Sequence, residues 1–96
     1  MNVDPPADPV RRRVLVQGQV QAVGFRASCA RRAQAAGVVG WVHNTADGAV
    51  EAVFQGRSPD VEAMVAWCRT GPPMARVTAV QSTDEAPRPE ARFAIR

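Results

Sequence analysis

Residues 18–26 read GQVQAVGFR and lie between an alternating apolar run and a helical stretch. These residue types suit a tetrahedral anion. A loop that leaves a strand and wraps the start of a helix can turn several backbone N–H groups inward, where the helix dipole adds partial positive charge. Gly24 permits tight backbone approach. Arg26, in the first helical turn, can fold a planar guanidinium over the same anion and direct two hydrogen bonds at a phosphoryl group. The stretch also reads as an ordinary strand-to-helix loop with a surface arginine. Asn44 is the second candidate, at the end of a strand and one residue before a turn. Its amide has donors and an acceptor for water or substrate. Alternatively it serves the turn, where Asn and Asp are favoured. Thr45 either hydrogen-bonds near Asn44 and holds its rotamer, or caps the turn. His43 alternates with Asn44, so the two side chains should point to opposite faces.

A small set of elements must position these groups. Residues 11–19 alternate as a strand, with Val14 and Val16 on one face. Phe25, Cys29, Ala33 and Ala36 recur at near-helical spacing, which predicts a helix over 25–36 capped by Gly37. Residues 38–44 form a second strand, residues 45–48 a hairpin turn with an Asp-Gly signal, and residues 49–55 a third strand. Ser58 is the expected N-cap of a helix over 58–70, with Pro59 in its first position. Val61, Met64, Val65 and Cys68 form its inward stripe. The fourth strand, 75–83, carries Val77 and Val80 three apart, so it is bulged or buried on both faces. A polar loop over 84–90 precedes a short strand at 92–96, with Phe93 and Ile95 on one face. This βαββαβ order with a C-terminal strand predicts an α+β, ferredoxin-like sandwich. Its antiparallel sheet has the order 4-1-3-2, both helices on one face and the closing strand at an edge.

Length and composition bound the rest. Ninety-six residues make one domain with a small site. A hydrophobic fraction of 46% is ordinary for a globular chain. No apolar run approaches the roughly 18 residues of a membrane span. Residues 1–10, rich in Pro and Asp, read as a disordered tail and not as a signal peptide, with residues 11–96 as the folded domain. The expected setting is cytoplasmic. Net charge is +3, and all 12 basic residues are Arg. That balance favours an anionic ligand without implying nucleic acid. Arg11-Arg12-Arg13 reads as a nucleic-acid patch or as the solvated start of a strand. One His and two distant Cys offer no metal-ligand spacing. Cys29 and Cys68 fall on inward helical stripes and read as core residues. Trp41 and Trp67 read as packing anchors, and Gly40 as a point of close packing.

VQGQVQAVGFR at 16–26 and GVVGWVHNTADGAVEAVFQG at 37–56 resemble the acylphosphatase family, as do GPPMARV at 71–77 and the closing FAIR. The resemblance spans residues 13–96, with several separated motifs in order. It implies a metal-independent, cofactor-free hydrolase that splits the carboxyl-phosphate bond of small acyl phosphates. By motif, Arg26 and the backbone N–H groups of Gln21, Ala22, Val23, Gly24 and Phe25 would hold the phosphoryl group. Asn44 would orient the attacking water, and Thr45 would support it. A monomer with no nucleic-acid or membrane partner is expected. Two positions depart from the family pattern. Ala22 stands where Gly is usual and would strain the loop by roughly 1 kcal/mol if that position needs positive φ. His43 stands where Arg or Lys is usual, and His is mostly neutral near pH 7. The competing class is a non-catalytic ferredoxin-like module that binds an anion or RNA. RNA readers of this fold display aromatic pairs on the open sheet face, whereas only Trp41 is a candidate for that face here.

Overall fold

Period-two and period-3.6 apolar patterns in this chain bury against each other as one sheet and one helical layer. The computed structural model of the protein describes residues 9–96. In chain order the elements are β1 (Val10–Gln19), α1 (Phe25–Ala35), β2 (Val39–Asn44), β3 (Val50–Gly56), α2 (Ser58–Cys68), β4 (Arg76–Glu85) and β5 (Phe93–Ile95). Most of the tail expected over 1–10 lies outside the described residues. Its last residue, Val10, already pairs with Gly56 in the sheet.

The strand order is β4-β1-β3-β2-β5. The first four strands are antiparallel, in the expected order, but β5 runs parallel to β2, so the sheet is mixed. The route of the chain explains this. β4 ends with Glu85 beside Arg11, and β5 begins with Phe93 beside Gly40. Both points lie where β1 and β2 begin, so the chain crosses that end of the sheet and turns back along β2.

Val14 and Val16 of β1, Val50, Ala52 and Phe54 of β3, and Val42 of β2 face the helices and are buried. Phe25, Cys29 and Ala33 of α1 and Val61, Val65 and Cys68 of α2 close over them. Ala36, expected on the α1 stripe, is instead the exposed C-cap. The N-cap of α2 is Arg57 in an extended conformation, so Ser58 is already helical. The fourth strand is bulged. Gln17 faces Ala79 while Gly18 faces Val77, which leaves Thr78 as the extra residue. Val77 and Val80 therefore both pack on the core. Gly40 is required for close packing, because a Cβ there would sit 1.9 Å from the Val53 carbonyl oxygen. Both cysteines are free and buried, and burial pushes the Cys68 thiol up to about 12 and the Cys29 thiol higher still. Neither is a reactive thiolate near neutral pH.

The arginine run at 11–13 is neither a free basic patch nor a solvated strand start. Arg11 is only 3% exposed, and its guanidinium donates to Glu85, Gln55 and Glu90. The β4–β5 connection is fastened over it, since Gln55 bonds both the N–H and the carbonyl of Arg88. Arg12 pairs with Glu62 and Asp84, and Arg13 with Glu51 and Glu85. Trp41 is on the face of Arg11 and Arg13, opposite the helices, but buried, with the guanidiniums of Arg13 and Arg96 5.3 and 4.9 Å from its ring centroid. That face therefore presents no aromatic platform for bases. No helix among the described residues is long and apolar enough to cross a membrane.

Candidate active site

The loop between β1 and α1 acquires its shape from backbone sign alternation. Ala22 has φ 60° and Gly24 φ 77°, with Val23 between them outside the positive-φ region. Such alternation turns successive N–H groups toward one side and makes an anion-binding concavity. Gly24 is the N-cap of α1 and offers no side-chain cap. A Cβ at Gly24 would meet nothing within 4 Å, so its role is conformational and not one of close packing. The first main-chain bond of the helix runs from the Ser28 N–H to the Gly24 carbonyl, at 3.0 Å. The N–H groups of Ala22, Val23, Gly24, Phe25 and Arg26 have no main-chain acceptor among the described residues. The half-buried Val23 packs against the core and anchors the loop from below.

Ala22 is the one non-glycine residue with positive φ among those described. Left-handed backbone costs an L-residue roughly 1–2 kcal/mol. Ala22→Gly relieves that strain but gives back about 0.4–1 kcal/mol of unfolded-chain entropy. A net gain on the order of 0.5 kcal/mol is expected, read as a higher urea midpoint at unchanged m-value.

Two elements bring the expected pair of side chains together. Arg26 projects from the first turn of α1 and Asn44 from the last residue of β2. Both line one cavity of about 210 Å³, with Ala22 and Gly24 of the loop and Phe25 of α1. Sheet order makes this possible: β1 and β2 are parallel and flank β3, so the loop leaving β1 and the end of β2 lie at one end of the sheet. Arg26 donates from its side chain to the main-chain oxygen of Arg96 at 3.5 Å, its one side-chain hydrogen bond among the described residues. The Asn44 side chain makes no hydrogen bond to a described residue, so its amide is free for a ligand.

Gln21, named for its backbone N–H, also has a side-chain role. Its side chain donates to the carbonyls of Thr45 and Ala49, at 2.9 and 2.8 Å. It is a strut between the loop and the β2–β3 hairpin, holding the nest in register with Asn44. Thr45 resolves in favour of the turn. Its hydroxyl accepts from the Ala49 N–H at 3.0 Å and bonds the Asp47 carboxylate. That bond holds Asp47 below the usual carboxylate range. No hydrogen bond joins Thr45 to Asn44, so its support of Asn44 is indirect, through the turn.

His43 points away from the cavity, as strand alternation requires. Its Nε2 lies 2.8 Å from Glu51 Oε1, and its ring meets Trp41 edge-on. The hydrogen bond from His43, and then that from Arg13, hold Glu51 below the usual carboxylate range. A cation at position 43 would therefore not line the cavity. Val20, Ala27 and Ile95 complete the cavity wall. Local sequence reasoning missed all three, because only the parallel pairing of β5 with β2 brings Ile95 to this end. No group of three or more His, Cys, Asp or Glu among the described residues is placed to hold a metal ion.

A wider depression of about 570 Å³ lies against the two helices. Its guanidiniums are already engaged: Arg31 donates to Ser28 Oγ at 3.2 Å, and Arg32 stacks 5.3 Å from the Trp67 ring centroid. The smaller cavity therefore has the better-equipped chemistry, with a free amide, a guanidinium and unpaired N–H groups converging.

Residues 12–95 match the family model described as Acylphosphatase. A Synechococcus acylphosphatase is 48% identical over 90 residues, covering 94% of this chain and 96% of the relative. A Methylococcus capsulatus acylphosphatase is 54% identical over 70 residues, 73% of this chain and 76% of the relative. The solved structure of an acylphosphatase from Coxiella burnetii superposes with a TM-score of 0.89 at 31% identity, over 93% of this chain and 94% of that one.

Proposed function

The chain belongs to the acylphosphatase family, and from that premise we propose how its own residues hydrolyse an acyl phosphate. The enzyme splits the carboxyl-phosphate bond, yielding a carboxylate and inorganic phosphate. The N–H groups from Gln21 to Arg26 and the Arg26 guanidinium cradle the phosphoryl oxygens. Charge that spreads over those oxygens in a loose transition state meets donors already aimed at it. Asn44 holds a water in line with the bond to be broken. The water oxygen bonds to phosphorus as the bond between phosphorus and the carboxyl oxygen breaks, and its electron pair leaves with the carboxylate. A phosphoryl oxygen of the substrate takes the water's proton, so no side-chain base is needed. The cavity agrees, because no His, Asp or Glu lines it.

The observation that carries this proposal is that Arg26 and Asn44 line one cavity together with Ala22 and Gly24 of the β1–α1 loop. One chain supplies every group, so a monomer suffices for the reaction. Two free, buried cysteines fit a reducing, cytoplasmic compartment. Residues 11–96 act as the catalytic domain. No nucleic-acid partner is invoked, since Arg11, Arg12 and Arg13 are all paired.

The test is phosphate release from benzoyl phosphate, with and without chelator. Turnover is expected, and at the same rate in EDTA. Loss of activity in chelator with recovery on adding a divalent ion would refute the metal-free mechanism.

A further inference from the structure

Among the described residues, two large apolar side chains stand exposed: Met74, outside the cavity, and Ile95, 49% exposed and lining it. Ile95 pairs with Val42 on the helix-facing side of β5. It extends beyond the core at the mouth where Arg26 and Asn44 meet. Val20, Ala22 and Ala27 continue the same apolar surface. Arg26 is the one charged residue lining the cavity, and the phosphoryl group occupies it. The neighbouring cation, Arg96, is turned to the other face of the sheet, 4.9 Å from the Trp41 ring centroid.

We propose that Ile95 is the wall against which the acyl group packs, which makes this enzyme selective for apolar acyl phosphates over those with a second carboxylate. The proposal rests on the acylphosphatase mechanism above and names its substrate class. With the phosphoryl group in the nest, an apolar acyl group leaves water for Ile95. A second carboxylate placed there would lose hydration and find no cation.

The experiment compares kcat/KM for benzoyl, acetyl and succinyl phosphate in the natural chain, Ile95→Ala and Ile95→Arg. Ratios between substrates within one variant cancel its folded fraction. Comparing those ratios between variants cancels the substrates' differing intrinsic reactivities. Ile95→Ala is expected to lower the benzoyl-to-acetyl ratio about tenfold, the usual scale for lost apolar contact in a pocket. Ile95→Arg is expected to raise the succinyl-to-benzoyl ratio by about tenfold or more. Ratios unchanged in both variants, while the natural chain hydrolyses all three compounds, would overturn the role of Ile95 and leave the mechanism standing. Hydrolysis of none of the three by the natural chain would sink the mechanism, and the assignment of Ile95 with it.

Discussion

Arg26→Ala is expected to lower kcat/KM for an acyl phosphate by about 10³-fold or more, the scale seen when a phosphoryl-directed arginine is removed. Arg26→Lys is expected to recover little of that loss. Arg26 is the one charged side chain in the cavity, so no neighbour can substitute. A guanidinium spans two phosphoryl oxygens with directed hydrogen bonds, whereas an ammonium is a compact point charge that cannot reproduce the pair. Inhibition by inorganic phosphate should weaken in both variants, because the same fork grips phosphate in ground and transition states. Folding should survive. Arg26 lies off the buried stripe of α1, and its only side-chain hydrogen bond among the described residues is the 3.5 Å contact with Arg96. Near-normal turnover by Arg26→Lys would show that the two-bond grip is wrong.

What was legible in the sequence follows the range of the interactions involved. The apolar stripe of α2 and the alternation of β1 and β3 are local patterns, and the elements form within a residue or two of the expected bounds. In β4 the spacing of Val77 and Val80 left a bulge or burial on both faces open, and the pairing with β1 decides for the bulge. The arginine run was misjudged because its partners, Glu85, Glu90 and Gln55, are 44 to 79 residues away along the chain. Nothing local distinguishes an arginine that will be covered from one that stays in water. The parallel setting of β5 was missed likewise, since it depends on where the 86–92 segment crosses the sheet. With it went Ile95 as a wall of the cavity. Ala22 shows the opposite case. The resemblance to a family that usually has Gly there raised the question of positive φ, and the backbone adopts it despite the Cβ. Gln21 was named for its backbone, but its side chain acts as a strut to Thr45 and Ala49. Its amide could serve either function, and only the folded hairpin decides.

Asn44→Ala should leave phosphate affinity nearly intact and remove most of kcat, on the order of 10²-fold or more, the scale of losing one preorganised hydrogen-bonding group. The backbone places Asn44 independently of its side chain, since β2 pairs with β3 through Val50 at that position. Truncation therefore leaves the strand and the nest in place. The amide carries both donors and an acceptor and has no protein partner among the described residues. It can accept from the attacking water while donating toward the substrate. Orientation of water matters on the way to the transition state and adds little to ground-state binding, so its loss falls on kcat. Arg26 has the opposite bias, because phosphate alone already engages it. The discriminating measurement is a pair for each variant: turnover of an acyl phosphate, and inhibition by inorganic phosphate. Asn44→Ala should retain the inhibition that Arg26→Ala loses. Normal turnover in Asn44→Ala, or loss of phosphate inhibition as complete as in Arg26→Ala, would refute this division of labour. In that event a different group must hold the water, and Val20, Ala27 and Ile95, the other residues that line the cavity, offer no side-chain hydrogen-bonding atom. A backbone N–H of the nest would then be the remaining candidate, and the site would bind phosphoryl group and water through one loop.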